Sequence, residues 1–220
     1  MNRFACLALF SAILAMFLTP SSFAQSPIVV ELFTSEGCSS CPPADAVLMK
    51  LDEQPPAGTQ LILLGEHVDY WNYIGWTDRF SSAQFSKRQS EYGSALHSST
   101  YTPQMVIDGR VQFVGNDLPE VEGKIAAAAK DPKPAQVTLH WQGDRLHVTV
   151  QSPQQSKVLL ALVEDGLTTK VDAGENGGRT LRHAAVVRQL RELGSADKNT
   201  FDATVDVSRK PDWNPTKLKV

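Results

Sequence analysis

Of the chain's three cysteines, two, Cys38 and Cys41, are wedged between a strand-like run and a helix-like run, and this junction constrains the fold more than any other feature. Ser26 to Phe33 (SPIVVELF) is short, apolar and β-branched, which predicts a buried strand. Thr34-Ser35-Glu36-Gly37 is turn chemistry. From Pro43 onward Ala44, Val47, Leu48 and Leu51 recur at helical spacing, and Pro42 or Pro43 suits a first turn, where a missing N–H costs nothing. Pro55-Pro56-Ala57-Gly58 stops that helix. A strand, a tight turn and a helix start therefore bring a Cys-Ser-Ser-Cys dithiol to a helix N-terminus. Orphan N–H donors and partial positive charge there favour a thiolate. On this reading Cys38 is the more exposed sulfur and attacks, and Cys41 resolves the mixed disulfide. A pair of inert core cysteines is the alternative.

The remainder of the first half continues an α/β plan. Gln60 to Glu66 reads as a second apolar strand. Asp69 to Leu96 reads as an aromatic and polar insert, helical in its second half. Met105 to Ile107 and Val111 to Val114 flank Asp108-Gly109, a hairpin signal. Leu118, Val121, Ile125 and Ala128-Ala129 space as a helix ending at Asp131-Pro132. Beyond Lys133-Pro134 the pattern changes to strands at Gln136 to Trp141, Leu146 to Gln151, Lys157 to Glu164 and Phe201 to Val207. That predicts a small antiparallel, sandwich-like β domain. The expected division is a signal peptide over 1–24, an α/β domain over 25–132 and a β-rich domain over 133–220.

The N-terminus supports export. Met1-Asn2-Arg3 is positively charged, Phe4 to Leu18 is almost wholly apolar, and Ser22 and Ala24 precede a cleavage point before Gln25. The apolar run is shorter than the roughly 20 residues that span a bilayer. Cleavage removes Cys6 and leaves the dithiol alone, so the expected location is secreted, periplasmic in type, with no membrane attachment after processing. A bridge across two residues closes almost no loop, so chemistry explains the pair better than stability. The formal charge is −3 and no basic block occurs, which argues against nucleic acid as a partner. No cofactor motif is present; Glu175-Asn176-Gly177-Gly178-Arg179 lacks the spacing and Lys of a phosphate loop and reads as a loop before a strand.

Tyr101-Thr102-Pro103-Gln104 stands directly before the third strand and its Asp-Gly hairpin. A dithiol at the first helix, a Thr-Pro entering a hairpin and a closing helix resemble the thioredoxin fold. The resemblance implies that Pro103 is cis and lies against the dithiol, and that the Thr102 backbone pairs with a substrate peptide. An ordinary trans proline is the alternative. More closely, the chain resembles a bacterial family of secreted, thioredoxin-like proteins known as a domain of unknown function, DUF1223. The matching stretches are VELFTSEGCSSCPPAD (Val30 to Asp45), HVDYWNYIGWTDRF (His67 to Phe80), TPQMVIDGR (Thr102 to Arg110) and ENGGRTLRHAAVVR (Glu175 to Arg188). Trp-Cys-Gly-Pro-Cys, usual in thioredoxins, is absent, so the redox potential does not carry over.

Glu66, His67, Asp69 and Tyr70 leave the C-terminal end of the second strand, the edge where open α/β sheets bind ligands. Glu66 or Asp69 is a candidate proton acceptor for Cys41, with Glu31 a weaker one, and His67 a candidate to bias the Cys38 thiolate. Asp69 as a cap and His67 as a half-buried neighbour are the alternatives. Tyr70, Trp71, Tyr73 and Trp76 form either a rim for a protein substrate or the core of the insert. The leading expectation is an exported thiol–disulfide oxidoreductase acting on protein thiols and disulfides with a separate redox partner, Cys38, Cys41 and Pro103 at its centre and Thr102, Tyr70 and Trp71 facing substrate. The alternatives are a copper carrier using Cys38, Cys41 and His67, and a binding module with a vestigial dithiol.

Overall fold

The computed structural model describes residues 26–197 and 200–220. The signal-peptide expectation and Cys6 lie outside them. In chain order the strands and helices are β1 (Ile28–Thr34), α1 (Pro42–Glu53), β2 (Leu61–His67), α2 (Ala83–Ala95), β3 (Gln104–Ile107), β4 (Val111–Phe113), α3 (Leu118–Ala128), β5 (Gln136–Gln142), β6 (Arg145–Gln151), β7 (Ser156–Glu164), β8 (Leu167–Lys170), β9 (Thr180–His183), β10 (Val186–Ala196), β11 (Thr200–Asp206) and β12 (Leu218–Lys219).

β1 lies inside a seven-stranded mixed sheet of order β12-β7-β10-β2-β1-β3-β4. It runs parallel to β2, with Thr34 beside His67, and antiparallel to β3, with Leu32 beside Met105. Because side chains alternate along a strand, β1 serves both faces. Val30 and Leu32 pack with Val47, Leu48 and Leu51 of α1 and Val121 and Ile125 of α3. On the other face Phe33 packs with Val68, Val106 and Tyr92 of α2. The helix starts follow local chemistry: Pro42 stands in the first turn of α1, Ser82 caps α2 by accepting from the Gln84 N–H, and Asp117 caps α3 by accepting from the Glu120 N–H.

The sequence expectation of separate units meeting at 132/133 does not describe the sheet. β7, β10 and β12 come from the second half of the chain, yet they extend the sheet that β1 and β2 begin. β10 lies parallel to β2 at Val186–Gly65 and pairs along its length with β7. The physical reason is a shared core: Leu64 and Phe85 from the first half are buried with Val163, Val187 and Leu190 from the second. The sandwich expectation holds in part of the molecule. A three-stranded antiparallel sheet, β11-β6-β5, lays Leu146, Val148 and Val150 against Val158, Leu160 and Leu162 of β7. β8 and β9 form a separate hairpin.

A core that spans both halves makes them unfold together. Phe85→Ala is expected to cost about 3–5 kcal/mol and to leave a single urea transition, coincident by circular dichroism and tryptophan fluorescence. Two transitions, one of them unmoved by the substitution, would show independent halves.

Candidate functional site

The C-terminal ends of β1 and β2 deliver the chain to the dithiol. After Thr34 the backbone turns, the Cys38 N–H donates to the Ser35 carbonyl and the Cys41 N–H donates to the Cys38 carbonyl. Cys41 is the N-cap residue of α1, its carbonyl accepting from the N–H groups of Ala44 and Asp45. Cys38 and Cys41 are joined in a disulfide. Cys38 thus lies in the turn before the helix. Contrary to the sequence expectation, it is no more exposed than Cys41: both have 0% accessible surface, while Ser39 and Ser40 between them are exposed. Ser40 Oγ lies 3.4 Å from Cys38 Sγ and donates to the Thr102 carbonyl (3.4 Å), which brings the Thr102-Pro103 segment to the dithiol. The Thr102–Pro103 peptide is cis.

The aromatic insert divides. Trp71 packs against Gly37 and its Nε1–H donates to Thr102 Oγ1 (2.7 Å), so it borders the dithiol turn. The Trp76 Nε1–H donates to Glu36 Oε2 (2.8 Å). Tyr70 is 38% exposed and donates to Gln89 of α2, whereas Tyr73 stands out in solvent. Trp71 also packs in the small core of Phe33, Val68 and Val106, so it serves as both border and filler.

The candidate tuning residues do not converge. Consecutive positions on a strand face opposite ways, and Glu66 and His67 obey that rule. Glu66 faces α2, where Arg88 Nε lies 3.3 Å from it and 2.6 Å from Glu31. Burial, with Glu31 adding to it, pushes the Glu66 carboxyl well above the usual range against the pull of Arg88. Glu66 and Glu31 thus form a buried acid pair on the face away from α1. Asp69 is bound into the insert: its Oδ1 accepts from Ser86 Oγ (2.5 Å), and its N–H donates to the same hydroxyl (3.1 Å). The half-buried alternative for His67 is corrected too, since the ring is 1% exposed and its Nδ1–H donates to Asp78 Oδ2 (2.7 Å).

On the α1 face the structure assembles a polar cluster that sequence reasoning missed apart from His67. Asp78 also accepts from the N–H groups of Glu36 and Phe80, both at 2.9 Å. His183 Nε2 lies 3.3 Å from Glu36 Oε1, and its ring centroid is 4.9 Å from that of His67. Asp45 accepts from Thr34 Oγ1 (2.9 Å) and sits one helical turn after Cys41. Burial raises the Asp45 carboxyl above its ordinary value, opposed by His183 and His67. Burial likewise opposes charge on His67, but Asp78, then Asp45 and Glu36, outweigh it and raise the ring's pKa. Asp78 is disfavoured as an anion by burial yet ends below the ordinary range because His67 and two backbone N–H groups hold it. One signal does exist for Asp45: it falls on the apolar stripe of its helix, where a carboxylate needs a reason. Asp78 and His183 reach the cluster only through tertiary folding. Among the described residues, no three His, Cys, Asp or Glu side chains are arranged to hold a metal ion.

The loop after β8 completes the site. Asn176 is wholly buried, and its Nδ2 donates to the carbonyls of Glu36 and Cys38, each at 2.9 Å. Exposed Glu175 accepts from the Ser39 N–H (3.0 Å); the hydroxyl and amide of Ser39 hold its carboxyl below the usual range.

Fold and site together define a mixed α/β protein that holds a disulfide-linked dithiol, buried, at the cap of its first helix. The chain belongs to the family described as protein of unknown function (DUF1223), which matches residues 29–220. It is similar to a crystal structure of a protein from Agrobacterium tumefaciens, with TM-score 0.70 and 30% identity over 81% of this chain and 78% of that one. It shares its fold with HBP35 of Porphyromonas gingivalis, with TM-score 0.60 and 17% identity over 83% of this chain and 64% of that one. No curated protein matches the chain.

The His67–Asp78 pair sets a pH dependence. A ring whose folded pKa is raised contributes stability fully below its unfolded value, ~6.5, and loses it as pH rises through the folded value. Asp78, with a lowered folded pKa, contributes above its unfolded value, ~3.9, and loses it on the acid side. Urea stability is therefore expected to fall as pH rises above about 6.5, and His67→Gln should flatten that slope. A variant that keeps the wild-type slope would place the titration elsewhere.

Proposed function

We propose that this protein is an exported, thioredoxin-like thiol–disulfide oxidoreductase that acts on protein thiols and disulfides through Cys38 and Cys41. The observation that carries the reading is a disulfide across two residues, capping α1, with the Thr102-Pro103 segment against it. Such a bridge closes too short a loop to stabilise the chain appreciably. The export signal read at the N-terminus supports a compartment where disulfides form and exchange.

In the exchange, a partner thiolate attacks Cys38 Sγ. The Cys38–Cys41 bond breaks, and its electron pair leaves on Cys41, which takes up a proton. A second partner thiolate then attacks the partner's sulfur in the mixed disulfide. Cys38 leaves as a thiolate and is protonated in turn. The partner loses two electrons and gains a disulfide, and the dithiol here is reduced; the reverse sequence reduces a partner. The N-terminus of α1 favours the departing Cys38 thiolate, and the Ser40 hydroxyl, 3.4 Å from Cys38 Sγ, adds to this when it turns its proton from the Thr102 carbonyl to the sulfur.

Cys38→Ala should lower turnover of a disulfide-bonded protein such as insulin by on the order of a thousandfold, while Cys41→Ala should accumulate mixed disulfides through Cys38. Full turnover in Cys38→Ala would sink the assignment. The reduction potential in glutathione buffer then gives the direction: near ~−120 mV for a disulfide donor, near ~−270 mV for a reductant.

A further inference from the structure

Thiol–disulfide exchange needs an approach to Cys38 Sγ, and in this structure Cys38 has no accessible surface. The segment that fastens the dithiol turn in that state is the tip of the β8–β9 hairpin. Residues 172–179 are exposed except for Asn176, which is wholly buried. Both donor hydrogens of its side chain and one acceptor site are in use. The Nδ2 group donates to the carbonyls of Glu36 and Cys38, and Oδ1 accepts from Arg179 Nη1 at 2.8 Å. One amide thus staples the two carbonyls that bracket Gly37, two residues before the first cysteine and at it. Next to it Glu175 holds the N–H of Ser39, immediately after that cysteine. The tip touches the backbone of the turn on both sides of Cys38.

The tip is built to stay in shape by itself. The Val171 N–H donates to the Arg179 carbonyl, the Gly178 N–H to the Val171 carbonyl, and the Arg179 N–H to the Asn176 carbonyl. Gly174 and Gly178 flank it with φ of +75° and +81°, a backbone region that only glycine adopts freely. The hairpin pairs with no strand of the large sheet. What joins the tip directly to the backbone of the dithiol turn is a few hydrogen bonds, which water or a partner chain can replace; its packing contact, Gly174 against Trp76, is with the aromatic insert.

We propose that Asn176 and Glu175 are positioning residues that clamp the dithiol turn closed, so that release of the hairpin tip limits the reaction of Cys38–Cys41 with thiols. The inference rests on the oxidoreductase reading for its biological use, but access to the disulfide is measured independently of turnover. When the tip lifts, the carbonyl of Glu36 and the N–H of Ser39 lose their partners together, and the carbonyl of Cys38 keeps only the Cys41 N–H. A partner that offers backbone groups to them displaces the clamp as it delivers its thiolate, so exchange is reserved for partners that bind at the turn.

The test is the rate at which dithiothreitol reduces the oxidised protein, together with hydrogen exchange of the 36–41 segment and of β1 and β2. Asn176→Asp keeps the shape of the side chain but removes both donated hydrogen bonds and sets a carboxylate against two carbonyls. It and Asn176→Ala should accelerate reduction by about tenfold or more, as the open fraction rises. Exchange should quicken in 36–41 and stay unchanged in β1 and β2. The wild-type rate in Asn176→Asp overturns the proposal, because a packing role alone would survive that change. Should both Asn176 variants loosen β1 and β2, Glu175→Ala decides, since that side chain is exposed. Acceleration with an intact core sustains the clamp, and the wild-type rate overturns it. Insulin turnover by the wild type separates the two readings. A clamp effect without turnover removes the oxidoreductase assignment alone, and turnover without a clamp effect removes only the clamp.

Discussion

The architecture depends on the close approach of two chain segments at Gly65. Its N–H donates to the Ala185 carbonyl at 2.7 Å, and a Cβ there would meet the Ala184 carbonyl at 3.1 Å. A side chain would press backbone against backbone, so the position suits glycine. Through this contact β10 docks on β2 and the second half of the chain becomes part of the first half's sheet. The β8–β9 hairpin leads directly into β10, so the same contact carries His183 to Glu36 and Asn176 to Cys38. Sheet continuity and a completed site are one event.

The two faces of β2 divide the buried charge. Glu66 and Glu31 share Arg88 under α2, while His67 meets Asp78, Asp45, Glu36 and His183 under α1. Two acids with one guanidinium make protonation of one acid the economical state on the first face. On the second, acids and imidazoles alternate, and His67–Asp78 is drawn toward an ion pair by the acids around the ring, with Asp78 also held by the N–H groups of Glu36 and Phe80. Pairs of this kind are seldom strong stabilisers, but removing one partner strands a buried charge. That asymmetry explains why the cluster is expected to report on pH while the apolar cores report on stability.

Local chemistry made much of the first half legible. β1, α1, the Asp108-Gly109 hairpin and α3 each follow from residues within a few positions of one another, and so does the place of Cys38 and Cys41 before a helix; the Thr102-Pro103 segment beside them is implied only by the thioredoxin resemblance. The strand pattern of Lys157 to Glu164 was equally readable, but its alternation says nothing about which sheet it joins. That depends on Leu64, Phe85, Val187 and Leu190 meeting across the halves. The distant contacts of the Cys38 turn are hidden from local reading in the same way. Nothing near residue 38 announces Asn176, whose Nδ2 and the Cys38 carbonyl are 138 positions apart in sequence. Glu66 and His67 were read as one group because they are neighbours in the chain, and strand alternation separates them.

That separation bears on the order of synthesis. When residues 26 to 132 have been made, the sequence of the dithiol turn, β1 and β2 is complete, but Glu175 and Asn176, which bond the turn's backbone on either side of Cys38, are still missing. Closing so long a loop is slow relative to forming local helices and hairpins. If the clamp proposed above holds, a chain that has not yet closed this loop presents its two sulfurs to the oxidants or thiols around it, and the finished chain withdraws them. On that proposal the protein's own topology fixes when its cysteines are vulnerable: early, before the C-terminal half has folded, and no longer once β10 has found Gly65.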